Sequence, residues 1–156
     1  MNILYIGNLT EKFENFANEK NSKIIVASNS IEGIVVLKNN IHINAIICDF
    51  NLPGNTGMFL FDVLQNESTL KDIPFILLSE EYNSSLYSDA FKKGIKDYFV
   101  SSSTNVGQII ERAKSLHKLR THKIEFLDSL ANDQTYKLPI SKRIFDIVFA
   151  SLALVC

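Results

Sequence analysis

Residues 48–57 read Cys-Asp-Phe-Asn-Leu-Pro-Gly-Asn-Thr-Gly, and this stretch decides the fold of the 156-residue chain. Its first residue, Cys48, ends an apolar run at residues 45–48, so that Asp49 stands between a hydrophobic segment and a Pro-Gly pair. A short apolar run bounded by a turn signal is typical of a buried strand. The stretch therefore predicts a strand that carries Asp49 at its carboxyl end.

Similar runs rich in β-branched and apolar residues predict a sheet around this strand. The five predicted strands are residues 3–6, 23–27, 45–48, 74–78 and 98–100. Between them, apolar residues recur at a spacing of three and four, which is typical of helices. Strands that are apolar almost throughout indicate a sheet covered on both faces, as parallel β-α-β units produce. We therefore expect an α/β fold with a five-stranded, doubly wound parallel sheet.

Local signals mark two helix ends. Ser30 stands before the second helical segment and is predicted to be its N-cap, because a serine hydroxyl can accept a hydrogen bond from a free backbone N–H group. Gly94 follows the fourth helical segment, where glycine suits the left-handed conformation that ends many helices.

The fifth helical segment is longer than the sheet needs. It runs from about Asn105 to Leu130, and a continuous helix of that length would span roughly 39 Å. Its second half must bury its apolar stripe on a partner subunit or on a following domain. The alternative is two helices with a break near residues 120–123.

Charge and cysteine content exclude several classes of protein. The net charge is −1, which gives no reason to expect a nucleic-acid partner. Residues 1–105 carry eight Lys or Arg against twelve Asp or Glu, whereas residues 106–156 carry eight against five. The two cysteines, Cys48 and Cys156, argue against a disulfide framework, and the first residues lack the pattern of a secretion signal. We therefore expect a cytoplasmic protein.

The strand ends hold the candidate site, because ligands of doubly wound sheets bind at the carboxyl ends of the strands. The residues predicted at those ends are Gly7, Asn8, Asp49, Ser79 and Ser101.

Residues 48–57 closely resemble the segment of response-regulator receiver domains in which the third strand delivers the phosphorylated aspartate into a Pro-Gly turn. The resemblance covers residues 1–118 and implies a flavodoxin-like sheet with strand order 2-1-3-4-5. It also implies that Asp49 is the phosphoacceptor, Ser79 the switch hydroxyl and Tyr98 the switch aromatic.

The rest of the receiver chemistry departs from that pattern. The family's acidic pair falls on Gly7 and Asn8, and its lysine falls on Ser101. Phosphoryl transfer to a carboxylate depends on charge neutralisation, which these residues do not supply. A Mg²⁺ ion, if one binds, would rest on Asp49 and Asn51. We therefore expect a degenerate site in which Asp49 accepts hydrogen bonds from Ser79 or a backbone amide, while Ser79 and Tyr98 serve ordinary packing.

The last residues carry a second resemblance. Residues 138–154 read Leu-Pro-Ile-Ser-Lys-Arg-Ile-Phe-Asp-Ile-Val-Phe-Ala-Ser-Leu-Ala-Leu and look like the opening of bacterial sugar transferases that act on polyprenol phosphates. In that family a Lys-Arg-x-Phe-Asp element begins a membrane-embedded helix, and the catalytic carboxylates lie downstream. The apolar run 144–156 is shorter than the roughly 20 residues that span a bilayer. The alternative is an amphipathic or buried terminal helix.

These features predict a pseudo-receiver domain at 1–118, a helical extension and linker at 119–137, and the start of a membrane-associated transferase helix at 138–156. The expected role is regulation of a membrane-tethered sugar transferase of exopolysaccharide synthesis. The domain would act as a homodimer through the fifth helix or a sheet edge, without catalytic residues of its own. The alternative is a working receiver, phosphorylated on Asp49 in a two-component phosphorelay. A transcription factor is disfavoured because residues 144–156 are apolar.

Overall fold

The computed structural model describes residues 1–8, 10–17, 22–39 and 42–133. The chain divides into two compact units, Met1–Arg120 and Thr121–Cys156. The strands are β1 Asn2–Ile6, β2 Lys23–Ala27, β3 Ala45–Asp49, β4 Asn51–Leu52, β5 Asn55–Thr56, β6 Phe75–Ser79 and β7 Asp97–Val100. The helices are α1 Thr10–Ala17, α2 Ser30–Lys38, α3 Gly57–Gln65, α4 Ser84–Lys93 and α5 Val106–Asp133.

The large sheet confirms the predicted fold class. Its order is β2-β1-β3-β6-β7, and every pairing in it is parallel. When only its five long strands are counted, this order is 2-1-3-4-5. The small antiparallel hairpin β4–β5 was not predicted from the sequence, because it has only two residues on each side.

Two hydrophobic clusters cover the two faces of the sheet. On one face, Leu37 of α2, Leu60 of α3 and Ala90 of α4 pack on alternate strand residues such as Leu4 and Ile46. On the other face, residues of α1 and α5 do the same. These are Phe13, Ile109, Ile110, Ala113 and Leu116, which pack with Ile3, Tyr5 and Ile47. A sheet buried on both faces explains why its strands are apolar throughout.

The start of α2 differs from the prediction. The N-cap is Asn29, whose side-chain oxygen accepts the Glu32 N–H at 2.9 Å. Ser30 is the first helical residue and is buried, and its Oγ accepts a hydrogen bond from Asn55 Nδ2 at 2.7 Å. Two adjacent residues were both capable of capping, and the extended backbone of Asn29 places its amide there. The prediction for Gly94 is correct, because it ends α4 with φ +97°.

The fifth helix is a single element from Val106 to Asp133, without a break near residues 120–123. Its apolar side chains beyond Leu116 are exposed by between 46% and 62%. They are Leu119, Ile124, Phe126, Leu127 and Leu130. Within the described ranges, no helix has both the length and the apolar character needed to cross a bilayer. Residues 134–137 of the predicted helical extension and linker and all of the 138–156 segment lie outside the described residues.

Candidate functional site

The carboxyl ends of β1, β3, β6 and β7 meet around a small cavity of about 60 Å³. It is lined by Asn8, Asp49, Phe50, Asn51, Leu78, Ser79, Glu80 and Ser101. This arrangement follows from the parallel topology, which brings the ends of neighbouring strands to one edge. Gly7 also lies at this edge, against the Asp49 side chain. Tyr98 lies inside β7, beside Ser79.

The Asp49 carboxylate is held through one of its two oxygens. Oδ2 accepts hydrogen bonds from the Tyr5 hydroxyl at 2.8 Å and from the Asn8 backbone N–H at 3.0 Å. Oδ1 is buried and has no hydrogen-bond partner. Burial raises the pKa of Asp49 above its usual value, with a smaller contribution from the negative charge of Glu80, while the bonds from Asn8 and Tyr5 lower it. The carboxylate therefore lies in a desolvated place, and the described residues that line its cavity include no cation.

Tyr5 is the residue of this site that the sequence analysis missed. It is fully buried, and its ring stacks on Phe13 of α1 with the ring centroids 4.1 Å apart. A tyrosine in an otherwise aliphatic strand carries one signal, because a buried phenol usually needs a hydrogen-bond partner. The signal does not name the partner, because Asp49 is 44 residues away along the chain.

Gly7 excludes a side chain from the place where the receiver family has an acidic residue. A Cβ atom built on Gly7 would lie 2.2 Å from Asp49 Oδ2 and 2.5 Å from the Tyr5 hydroxyl oxygen. Real Cβ atoms do not approach other heavy atoms this closely, so an aspartate at position 7 would displace both groups. The hydrogen bond between Tyr5 and Asp49 thus occupies the space that a second carboxylate would need.

Ser79 and Tyr98 bond to each other and not to Asp49. Their oxygens are 2.5 Å apart, and each hydroxyl also reaches the Glu81 carbonyl, Ser79 at 2.7 Å and Tyr98 at 3.3 Å. Whichever hydroxyl donates to that carbonyl accepts the hydrogen bond from the other. The Tyr98 oxygen also accepts the Asn83 N–H at 3.3 Å. Of the two donors expected for Asp49, Ser79 or a backbone amide, the structure has the backbone amide, that of Asn8.

Ser101, at the family's lysine position, and the following Ser102 connect the ends of β6 and β7. The Ser101 hydroxyl donates to the Ser79 carbonyl at 3.2 Å, and the Ser102 hydroxyl donates to the Glu80 carbonyl at 2.7 Å. These bonds hold the loop after β7 against the end of β6. Among the residues that line the cavity beside Asp49, none has a cationic side chain.

The residues at this edge do not fit a Mg²⁺ ion. Hard divalent cations prefer several carboxylate oxygens, and Asp49 and Glu80 are the two carboxylates in the cavity lining. Among the described residues, no group of three His, Cys, Asp or Glu side chains could hold a metal ion. Asn51 lies at the rim in β4, and Asn8 offers only a neutral amide. The unpartnered Oδ1 of Asp49 is the one feature that favours a cation.

The segment after Asp49 has structural roles of its own. Pro53 and Gly54 make the turn of the β4–β5 hairpin, with Gly54 at φ +84°. The Thr56 hydroxyl caps α3 by accepting the Phe59 N–H at 3.2 Å. A Cβ atom on Gly57 would lie 2.5 Å from the Asp49 carbonyl oxygen, so only glycine lets α3 start this close to β3. These features position a turn, whether or not Asp49 reacts.

An aromatic cluster lies beside Tyr98 on the surface of α4. Tyr87 packs against Tyr98 with ring centroids 5.7 Å apart and against Phe91 at 4.8 Å. Tyr82, Tyr87 and Phe91 are 64%, 42% and 44% exposed. Tyr98 therefore connects the hydroxyl of Ser79 to an exposed aromatic surface.

Known proteins with similar sequences are response regulators. The chain is 28% identical over 82 residues to the two-component response regulator ARR9 of Arabidopsis thaliana, a match that covers 53% of this chain and 32% of that protein. It is 27% identical over 81 residues to the chemotaxis protein CheY1 of Helicobacter pylori, covering 52% of this chain and 65% of that protein. The chain thus spans about a third to two thirds of these relatives. No protein-family model matches it.

Solved structures show the same fold. A CheY-like response regulator receiver domain protein from Methanospirillum hungatei superimposes with a TM-score of 0.68 at 14% identity, over 78% of this chain and 97% of that one. The fold of the first compact unit is therefore that of a response-regulator receiver domain, a fold that is typically non-catalytic.

Proposed function

We propose that residues 1–118 form a regulatory pseudo-receiver domain that does not use phosphorylation of Asp49 as its input. The observation that carries this proposal is the hydrogen-bonded pair of Tyr5 and Asp49, which fills the place of the missing acidic residue. Without a lysine or a set of metal-binding carboxylates, nothing in the cavity lining neutralises the charge of an incoming phosphoryl group. Glu80 adds a repulsive charge beside Asp49.

Phosphorylation with a small donor tests this proposal. The protein and its Asp49→Asn variant are incubated with acetyl phosphate and Mg²⁺, and intact masses are measured beside those of a receiver known to be phosphorylated. We expect no mass increase for either form of this protein. An adduct on the unchanged protein that the Asp49→Asn variant lacks would contradict the proposal.

The second candidate is a working receiver. The Oδ1 atom of Asp49 favours it, because no hydrogen bond from the described residues occupies that oxygen, which could attack phosphorus once it is uncovered. If the second candidate is correct, the adduct forms, and the Tyr5→Phe variant labels faster than the unchanged protein because Oδ2 then keeps only the hydrogen bond from the Asn8 N–H.

The domain would act by self-association through α5. Within the second compact unit, Ile124, Phe126, Leu127 and Leu130 expose 46–62% of their surface. Apolar side chains at this spacing on a helix are typical of helix pairing. We propose that two copies of the chain bury this stripe against each other. The sheet edge is the other candidate surface for dimerisation.

Sedimentation velocity tests the helix pairing. Leu127→Glu introduces a charge into the stripe, whereas Ser129→Glu introduces the same charge two residues later, on the opposite side of the helix. We expect a dimer for the unchanged chain and for Ser129→Glu, and a monomer for Leu127→Glu. Equal association of both variants would exclude the α5 stripe as the interface.

We further propose that the domain regulates a membrane-associated sugar-phosphate transferase in the same protein. The Lys-Arg-Ile-Phe-Asp element at residues 142–146 and the apolar run after it support this proposal. The test is the gene sequence past codon 156 together with membrane fractionation of its product. A continuing apolar helix, a soluble domain with carboxylates and recovery in the membrane fraction are expected. A DNA-binding domain downstream would contradict the proposal.

A further inference from the structure

A second cavity lies at the opposite, amino-terminal edge of the sheet. Its volume is about 690 Å³, which is within the range of about 300–1,000 Å³ typical of small-molecule sites. The ends of α2 and α3, the residues before β3 and β6, and α5 surround it. Its polar lining residues are Lys38, His42, Asn44, Glu67, Thr69 and Arg120. We propose that this cavity binds a small organic phosphate monoester, with its headgroup on Arg120 and Lys38.

Arg120 is the strongest reason for an anionic ligand. Its Nε atom is buried and has no hydrogen-bond partner in the described part of the chain. A guanidinium group stays protonated and offers its N–H donors in a planar fork that matches phosphate oxygens. Buried donors are nearly always satisfied, so an unpaired one on a side chain that lines an open cavity indicates a missing acceptor. An anion bound against the Arg120 guanidinium group would supply acceptors for its N–H donors.

The charge around the cavity is also positive. Lys38 is paired with Glu67 at 3.5 Å, but these side chains are 60% and 47% exposed, so the pair is weak and can rearrange. Arg120 and Lys38 together outweigh the single carboxylate of Glu67 in the lining. Burial, followed by the positive charges of Arg120 and of the N-terminus, lowers the pKa of His117.

The remaining lining residues favour an organic phosphate over a simple ion. Leu37, Ile43, Leu70 and Ile73 form an apolar wall that a free phosphate would not cover. His42 and Thr69 add donors at the polar side, and the three terminal oxygens of a phosphate monoester can accept from more donors than a carboxylate can. The ligand is therefore expected to join a phosphate headgroup to an apolar or aromatic body.

Titration with phenyl phosphate tests this site, because that probe carries both the headgroup and an apolar body. Backbone amide shifts of Asn44, Thr69 and Leu70 are followed by NMR in the whole chain at constant ionic strength. We expect saturable shifts with phenyl phosphate, weaker binding of inorganic phosphate, and no shifts with benzyl alcohol. Arg120→Gln should weaken binding by roughly tenfold or more, because it removes a charge-assisted hydrogen bond.

Two further variants make the result decisive. Lys118→Gln removes the same charge from an exposed position on the same helix and should bind phenyl phosphate like the unchanged protein. Lys38→Gln changes an exposed side chain, so it keeps the test valid if Arg120→Gln does not fold. Absent saturation, equal loss of affinity in Lys118→Gln, or undiminished binding by both cavity variants would overturn the proposal. Equal affinity for inorganic phosphate would reduce the site to an adventitious ion only and overturn it as well. None of these outcomes depends on whether Asp49 is phosphorylated.

Discussion

Replacement of Tyr5 by phenylalanine removes a hydrogen bond that holds Asp49 and keeps the aromatic ring. The Tyr5 ring is fully buried and stacked on Phe13, and phenylalanine retains both the burial and the stacking. The variant loses the bond of 2.8 Å to Oδ2, while the bond from the Asn8 N–H to the same oxygen remains. Because the donor itself disappears, no buried hydroxyl is left unpaired.

The expected loss of stability is moderate. A hydrogen bond to a charged group contributes about 1.5–3 kcal/mol to stability. Because Asp49 is only partly buried, water compensates part of the lost bond in the variant, and the expected net loss is about 1–2 kcal/mol. For a domain of this size, such a loss lowers the melting temperature by roughly 3–10 °C. The bond is stronger to the ionised carboxylate than to the neutral acid. The contribution should therefore decrease as the pH falls through the raised pKa of Asp49.

A double-mutant cycle in urea measures this contribution directly. The four proteins are the unchanged chain, Tyr5→Phe, Asp49→Ala and the double variant, compared at about pH 7.5 and about pH 4. Tyr82→Phe, which changes an exposed ring, serves as the control and should alter the free energy of unfolding by less than about 0.5 kcal/mol. A coupling energy below about 0.3 kcal/mol at the higher pH would refute the hydrogen bond as the restraint on Asp49.

Three further substitutions test the packing and titration of the same edge. Because the pKa of Asp49 is raised in the folded state, the unfolded chain ionises first as the pH rises from about 4, so native stability falls until the folded pKa is passed. Asp49→Asn should remove this loss of stability. In urea unfolding, the stability of the variant relative to the unchanged protein should therefore increase with pH. If the free energies of unfolding of the two proteins changed in parallel with pH, the raised pKa of Asp49 would be contradicted. Gly7→Ala should cost more than about 2 kcal/mol, because it combines a clash with Asp49 Oδ2 with a φ of +155°. Gly54→Ala serves as the control: it meets no atoms within 4 Å but has φ +84°, and should cost only about 1 kcal/mol. Gly57→Ala should also cost about 2 kcal/mol or more, and Asp49→Asn should not rescue it, because the clash is with a backbone oxygen.

Much of the fold could be predicted from the sequence because its strands are buried on both faces. Each strand of the large sheet is a mainly apolar run, whereas each intervening helix has apolar residues at a spacing of three and four. These two patterns distinguish the strands from the helices. The N-cap of α2 was harder, since Asn29 and Ser30 are both good caps and backbone conformation decides between them. The β4–β5 hairpin was missed because two paired residues leave no periodic pattern.

The site could be predicted only in part. Parallel topology places Asn8, Asp49, Ser79 and Ser101 around one cavity, and residue type alone shows which charges are absent. The partners of each side chain could not be deduced, because hydrogen bonds such as that between Tyr5 and Asp49 join residues far apart in sequence. The sequence does not show whether the Ser79 hydroxyl points toward Asp49 or away from it; in the structure it contacts the Glu81 carbonyl.

The stretch at residues 48–57 therefore specifies the geometry of a turn but not the chemistry of phosphorylation. Its turn, its cap and its close helix start require Pro53, Gly54, Thr56 and Gly57 for geometric reasons. The chemistry of phosphorylation requires charges that lie on other strands, and those are the charges that the site lacks. The stretch can thus specify the fold while Asp49 serves as a hydrogen-bond acceptor. If the proposed regulatory function is correct, its input lies elsewhere, and we propose that this input acts through the cationic cavity around Arg120 or the exposed stripe of α5.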